Sequence, residues 1–282
     1  GFHGKVLEPF EPLAVAGTVA VVGMAVMLFT SRWMHAKAQR ATGSGQLFPP
    51  SWWAITRSVR PYAIFGALYF AAIVVDHIGA GIVYGHGRYV YNPDYELGAD
   101  LGLLAMVPLT GLINVILERL PPLLLEASTR YRIGAEATFN AQITRYFVTS
   151  LAAFAGMGVL SYFVLLPVGL HLIEHTAVAA GVDAHQARIV LYVAAPAYVL
   201  LMIALFSAQV LFFLSRPLAP LFGIVLAVCI VGGVSFAAVH GHASSIVPVY
   251  GLFAGMLAFC VTAVSGAYGA ISRFAYSYYA AY

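Results

Sequence analysis

Apolar residues in this chain come in long unbroken runs, separated by short polar connections. Runs of about 20 or more apolar residues match the length a helix needs to cross a bilayer. The pattern predicts seven spans, at about 13–30, 61–83, 100–117, 145–170, 188–214, 218–239 and 248–271. No period-2 alternation of the kind a barrel strand requires accompanies them. The expected fold is all-α: a polytopic transmembrane helical bundle forming a single domain over 1–282.

The connections differ sharply in charge. One side carries Arg32, Lys37, Arg40, Arg57, Arg60, Arg119, Arg130, Arg132, Arg145, Arg216 and Arg273; the other carries only Lys5, Arg88 and Arg188. Lys and Arg concentrate on the cytoplasmic side of membrane proteins. The split therefore orients the N-terminus outside and the C-terminus in the cytoplasm. Trp52-Trp53 falls just before the second span, where an interfacial anchor is expected.

Composition agrees with a membrane protein. The 282 residues are 61% hydrophobic and 9% charged, against about 25% charged in soluble domains. A net charge of +3 with no basic arm gives no reason to expect nucleic acid as a partner. Cys229 and Cys260 both lie in apolar spans and are expected to be buried free thiols.

Asp76 is the most costly residue in these spans. An Asp at a helix centre costs roughly 2.5–3.5 kcal/mol on insertion, less near the end. Asp76 is therefore expected to face a partner or a wet cavity rather than lipid, and any partner must come from another helix. The stretch from 84 to 99, with Asn92-Pro93, Asp94 and Glu96, reads as a turn-rich acidic loop. Asn114 and Glu118 lie four residues apart and share a helix face. Gln209 sits within the fifth span and is expected to make an interhelical hydrogen bond. Asp76, Asn114, Glu118 and Gln209 are the candidate pathway residues.

Other chemistry is less well supplied. His171, His175 and His185 read as exposed residues of one outer polar loop, without an obvious further metal ligand. Deep histidines on several helices, as a haem would need, are missing. Ser150, Ser207, Ser235 and Ser265 have no neighbouring His or Lys to activate them. The expectation is a non-enzyme with no cofactor and no metal. The pairs Gly81/Gly85, Gly98/Gly102 and Gly251/Gly255 suit close helix contact.

Arg60-Pro61-Tyr62, Val75-Asp76-His77, Tyr91-Asn92-Pro93-Asp94-Tyr95 and the Pro108-bearing third span together resemble the back half of the Pel exopolysaccharide exporter family. That family is a distant, MATE-like branch of the multidrug/oligosaccharide/polysaccharide flippases. Leu211–Arg216 and the tail from Ser272 to Tyr279 are similar to it as well. The family has about twelve spans, and these seven would correspond to its sixth through twelfth. The chain departs from the family at Glu118-Arg119-Leu120-Pro121-Pro122 and lacks its acidic tail. The resemblance implies a transporter in the bacterial inner membrane. Its substrate would be a biofilm-type exopolysaccharide, and its partners would be membrane lipids, small membrane subunits and a cytoplasmic glycosyltransferase. The alternative is a non-catalytic anchor or assembly subunit of a larger membrane complex.

The charge split makes a direct prediction. Single cysteines placed at Gln39 and Glu136 should react with membrane-impermeant thiol reagents only from the cytoplasmic side; labelling from outside would overturn the orientation.

Overall fold

The computed structural model describes residues 52–130 and 136–273. The chain divides into two compact units, Gly1–Thr56 and Arg57–Tyr282, and the second holds the helical bundle. The expected span at 13–30 lies outside the described residues, as do the Trp52-Trp53 side chains and the tail beyond Arg273.

Among the described residues seven helices follow one another: α1 (Trp52–Tyr84), α2 (Pro93–Leu103), α3 (Met106–Arg130), α4 (Glu136–Ala180), α5 (Ala184–Phe213), α6 (Leu218–His240) and α7 (Val247–Ile271). The described residues contain no strand. α2 and the first part of α3 together make one candidate crossing, so six described segments are long and apolar enough to span a membrane. A helix satisfies its backbone polar groups internally, which is why apolar runs of this length take this form in lipid.

Two expected connections turn out to be helical. The stretch at 84–99 is a loop only as far as Asn92. Asn92 caps α2, its Oδ1 accepting from the Tyr95 backbone N–H at 3.3 Å, and Pro93 follows as the first helical residue. An Asn cap followed by Pro is a strong helix start, so Asp94, Tyr95 and Glu96 lie on a helix rather than in a loop. Likewise α4 runs through His171 and His175 to Ala180. It stops at Gly181, whose φ of +67° allows the Val182 N–H to reach back to the Ala177 carbonyl at 3.1 Å. That is the Schellman ending glycine favours. Only Gly181, Val182 and Asp183 separate α4 from α5.

The crossing made by α2 and α3 is broken in the middle. Leu104, Ala105 and Val107 donate to carbonyls three residues back, a tighter winding than α. Pro108 has no N–H for the Leu104 carbonyl, which accepts from Val107 instead. The Ala105 carbonyl is met from α4 by the Ser161 hydroxyl at 3.1 Å.

α5 is the central post. Of its most apolar stretch 61% is buried, against 22% for α4 and 28% for α1. Its Ala187, Ala194, Ala195, Ala197, Ala204 and Ala208 are all fully buried. Lipid tails are as apolar as Leu, so helices in a bilayer associate largely through close packing of small residues. The glycine pairs act in that way. Gly98 and Gly102 of α2 lie against the Ala187–Ala195 stretch of α5, and Gly251 and Gly255 of α7 against Ala227, Val231 and Val234 of α6. Gly81 and Gly85 instead admit Arg88, Tyr89 and Val90 of the following loop. Phe154, Phe206 and Phe147 stack between α4 and α5, with centroids 4.7 and 5.8 Å apart. The outward faces stay apolar, as with Phe163, Phe222 and Phe236, each about two thirds exposed.

Gly98 offers a test of this packing. A Cβ there would run into the Ala187 carbonyl and come within 2.8 Å of the Val190 Cβ. Gly98→Val should lower stability by about 1–3 kcal/mol. Gly111→Ala, where a Cβ meets nothing within 4 Å, should be neutral or slightly stabilising. Melting temperatures of the two variants in detergent check the contrast.

Candidate functional site

Asp76 is fully buried. It projects from α1 towards the first turn of α2, where the Tyr95 hydroxyl donates to its Oδ2 at 2.8 Å. Both groups are shielded from solvent, so the bond is stronger than the same contact in water. The partner does come from another helix, as the cost of burial demanded. The other oxygen, Oδ1, has no hydrogen-bond partner among the described residues.

His77 extends the cluster. Its Nδ1 lies 2.5 Å from Glu96 Oε2, on the residue next to Tyr95. Its Nε2 lies 3.4 Å from the Tyr198 hydroxyl of α5 and 3.9 Å from Asp76 Oδ2. With the proton on Nδ1, the imidazole donates to Glu96 and presents Nε2 to Tyr198. Edge-on packing of the His77 and Tyr95 rings, 5.7 Å between centroids, holds the imidazole in place. His77 and Glu96 retain about 15% exposure, so the cluster grades from a dry carboxylate to a partly wetted ion pair. Consecutive residues on α1 meet consecutive residues on α2, Asp76 with Tyr95 and His77 with Glu96, and α5 supplies Tyr198.

The end of the bundle around this cluster is fastened by further polar contacts. Asp94 Oδ1 accepts from the Asp183 N–H at 2.9 Å, and Asp183 Oδ1 caps α5 through the His185 N–H at 2.9 Å. Arg188 of α5 reaches Glu174 of α4 at 2.8 Å. The loop after α1 folds back on it through Val90 N–H to the Gly81 carbonyl at 3.1 Å. Tyr89 and Tyr91 in that loop are held above the usual phenol range, first by partial burial and then by the Glu96 charge.

The four candidate residues do not converge. Asn114 and Glu118 share an exposed face of α3, roughly 27 Å or more along the helices from Glu96 at 1.5 Å per residue. Gln209 is half-buried on α5, roughly 16 Å along the helix from Tyr198, and its Oε1 finds no hydrogen-bond partner among the described residues. Sequence reasoning does not single out Tyr95, Glu96 or Tyr198. The Asn92-Pro93 start signal is enough to place Tyr95 and Glu96 on a first helical turn. Nothing in the sequence separates Tyr198 from other aromatic residues in apolar spans.

Elsewhere, the His171 and His175 rings meet edge-on at 4.3 Å on α4, and Glu174 between them is engaged by Arg188. Among the described residues no group of three or more His, Cys, Asp and Glu is placed to hold a metal ion. Cys260 is buried as expected, whereas Cys229 lies on an exposed face of α6.

No family model matches this chain, and no curated protein or solved structure matches it. What the fold defines by itself is an all-helical membrane-spanning bundle with a buried acid–tyrosine and histidine–acid cluster near one end.

The cluster makes a stability prediction. Tyr95→Phe leaves a buried carboxylate without its donor and should cost about 1–3 kcal/mol. In an Asp76→Asn background the same change should cost measurably less, because the charge is gone. Equal losses in the two backgrounds, read from melting temperatures in detergent, would show that the pair is not energetically coupled.

Proposed function

We propose that this chain is the membrane-embedded part of a flippase-like transporter that moves an exopolysaccharide across the bacterial inner membrane, working beside a cytoplasmic glycosyltransferase. One observation carries the reading. A carboxylate in an otherwise apolar crossing is tied to α2 by a phenol, with a His–Glu pair and Tyr198 of α5 beside it, and its other oxygen is buried without a partner among the described residues. Intramembrane ionisable residues facing the bundle interior mark substrate or ion pathways more often than they stabilise a fold. The broken α2–α3 crossing supports it too, since interrupted helices recur at transporter sites.

In this proposal the cluster is the closed gate. Asp76 accepts from Tyr95, Glu96 engages His77, and Tyr198 closes the third side. A sugar chain presents many hydroxyl groups, each a donor and an acceptor. Hydroxyls entering between α1, α2 and α5 replace the Tyr95 hydroxyl on Asp76 and the imidazole on Glu96, so separating the helices leaves no carboxylate bare. No covalent chemistry is asked of the chain. The Lys and Arg bias of the connections supports an outward-facing cluster, and in this reading it controls exit rather than entry.

The second reading, a non-catalytic anchor subunit, is favoured by the complete burial of Asp76. In that case the cluster is a permanent fastening and carries no traffic.

A host strain carrying Asp76→Asn tests the choice. Asn keeps the shape and loses the charge, so the protein should insert normally. Export should fall about tenfold, the equivalent of one charge-assisted hydrogen bond of about 1.4 kcal/mol in the limiting step. Normal insertion with parental export in both Asp76→Asn and Asp76→Leu would leave the anchor reading in place of the transporter.

A further inference from the structure

At the arginine-bearing end of the bundle, far from Asp76, a groove of about 680 Å³ opens between the first turns of α4 and the C-terminal end of α7. Its polar lining comes from Asn140, Thr144, Arg145 and Thr149 on α4 and Ser272 just past α7. Arg145 supplies the charge of that lining. The groove is therefore hydroxyl-rich and positive, and it is open enough to admit a group the size of a phosphodiester.

Further along α4 the surface changes in kind. Val148 lines the groove and is 47% exposed. Beyond it the exposed positions Ala152, Gly156 and Val159 continue the same face towards the middle of the crossing. A Cβ at Gly156 would meet nothing within 4 Å, so this face is open there between the exposed Val148 and Val159 side chains. From Val148 to Val159 the helix rises roughly 16 Å, close to half the roughly 30 Å hydrocarbon thickness of a bilayer. A positive polar pocket at the membrane border, continuous with an apolar track one leaflet long, has the shape of an amphiphile with an anionic head.

We propose that this face is a binding site for an anionic glycerophospholipid. Its phosphate sits in the groove against Arg145 and the Thr144 and Thr149 hydroxyls, beside Ser272, whose own hydroxyl donates to the Gly269 carbonyl at 3.2 Å, and one acyl chain lies along the exposed Val148–Val159 face. Arg suits this role because its fork donates two parallel hydrogen bonds to a phosphate. Basic pockets between crossing helices hold anionic lipid heads in the same manner. The site holds α4 to α7 across their shared end. It requires neither transport nor any particular polymer.

Native mass spectrometry of the full chain in detergent tests it, with equimolar phosphatidylglycerol and phosphatidylcholine of the same acyl chains added in competition. The parental protein should retain phosphatidylglycerol about fivefold over phosphatidylcholine. Arg145→Gln should bring the ratio close to parity. Arg88→Gln, on the loop at the opposite end, should leave it unchanged. Gly156→Trp, which blocks the track, should reduce retention of both lipids without altering their ratio. Parity in the parental protein, or a ratio untouched by Arg145→Gln, would overturn the site. Undecaprenyl phosphate displacing phosphatidylglycerol at substoichiometric amounts would overturn the glycerophospholipid in favour of an isoprenoid carrier.

Discussion

The buried Asp76 carboxylate is the constraint to which its half of the bundle conforms. An unpaired Asp inside an apolar crossing is costly, so a donor from another helix stabilises α1 there. Tyr95 supplies it at 2.8 Å. To do so α2 has to begin at Pro93, with Asn92 capping its first turn. It must also lie close to α5, which Gly98 and Gly102 permit. The same placement brings Glu96 to His77 and His77 to Tyr198. One desolvated charge thus sets the start of a helix, the spacing of two glycines and the direction of three aromatic or imidazole rings.

Away from that cluster the bundle is held differently. α5 presents a face of alanines to its neighbours, and α6 and α7 meet through Gly251 and Gly255. These contacts are short-range and apolar. They resist separation through dispersion rather than through any hydrophobic gain, since the outward faces are already solvated by lipid. At the Asp76 end the Asp94–Asp183 and Arg188–Glu174 contacts add polar fastenings where water is within reach. The helices around Asp76 are therefore joined by bonds that polar ligands can exchange, whereas α5, α6 and α7 are joined by bonds they cannot.

The two ends of the bundle also differ in what they offer the membrane. The Asp76 end turns its polar groups inward on one another. At the arginine-bearing end, Arg145 and its hydroxyl neighbours line an open groove. That asymmetry parallels the Lys and Arg bias of the connections.

Much of this is legible in the chain itself. Helical class and the positions of the crossings at 188–214, 218–239 and 248–271 follow from run length alone, because a bilayer tolerates no other open chain geometry. That Asp76 needs a partner from another helix follows from the cost of burying charge. The run at 84–99 misleads because its acids, glycines and single proline mimic loop composition, although Asn92-Pro93 carries the helix start. The stretch at 171–180 misleads because histidines and a glutamate look solvent-seeking, yet α4 simply runs on until Gly181. Which residue meets Asp76 belongs to tertiary structure. Tyr95 lies 19 positions away, and Tyr198, which meets the adjacent His77, lies 121 from that residue; hydropathy is blind to the rotation of one helix about its axis against another. The same rotation sends Asn114 and Glu118 outward and leaves the Gln209 oxygen without a partner among the described residues. Periodicity shows that a helix has faces, and only packing decides which face meets which neighbour.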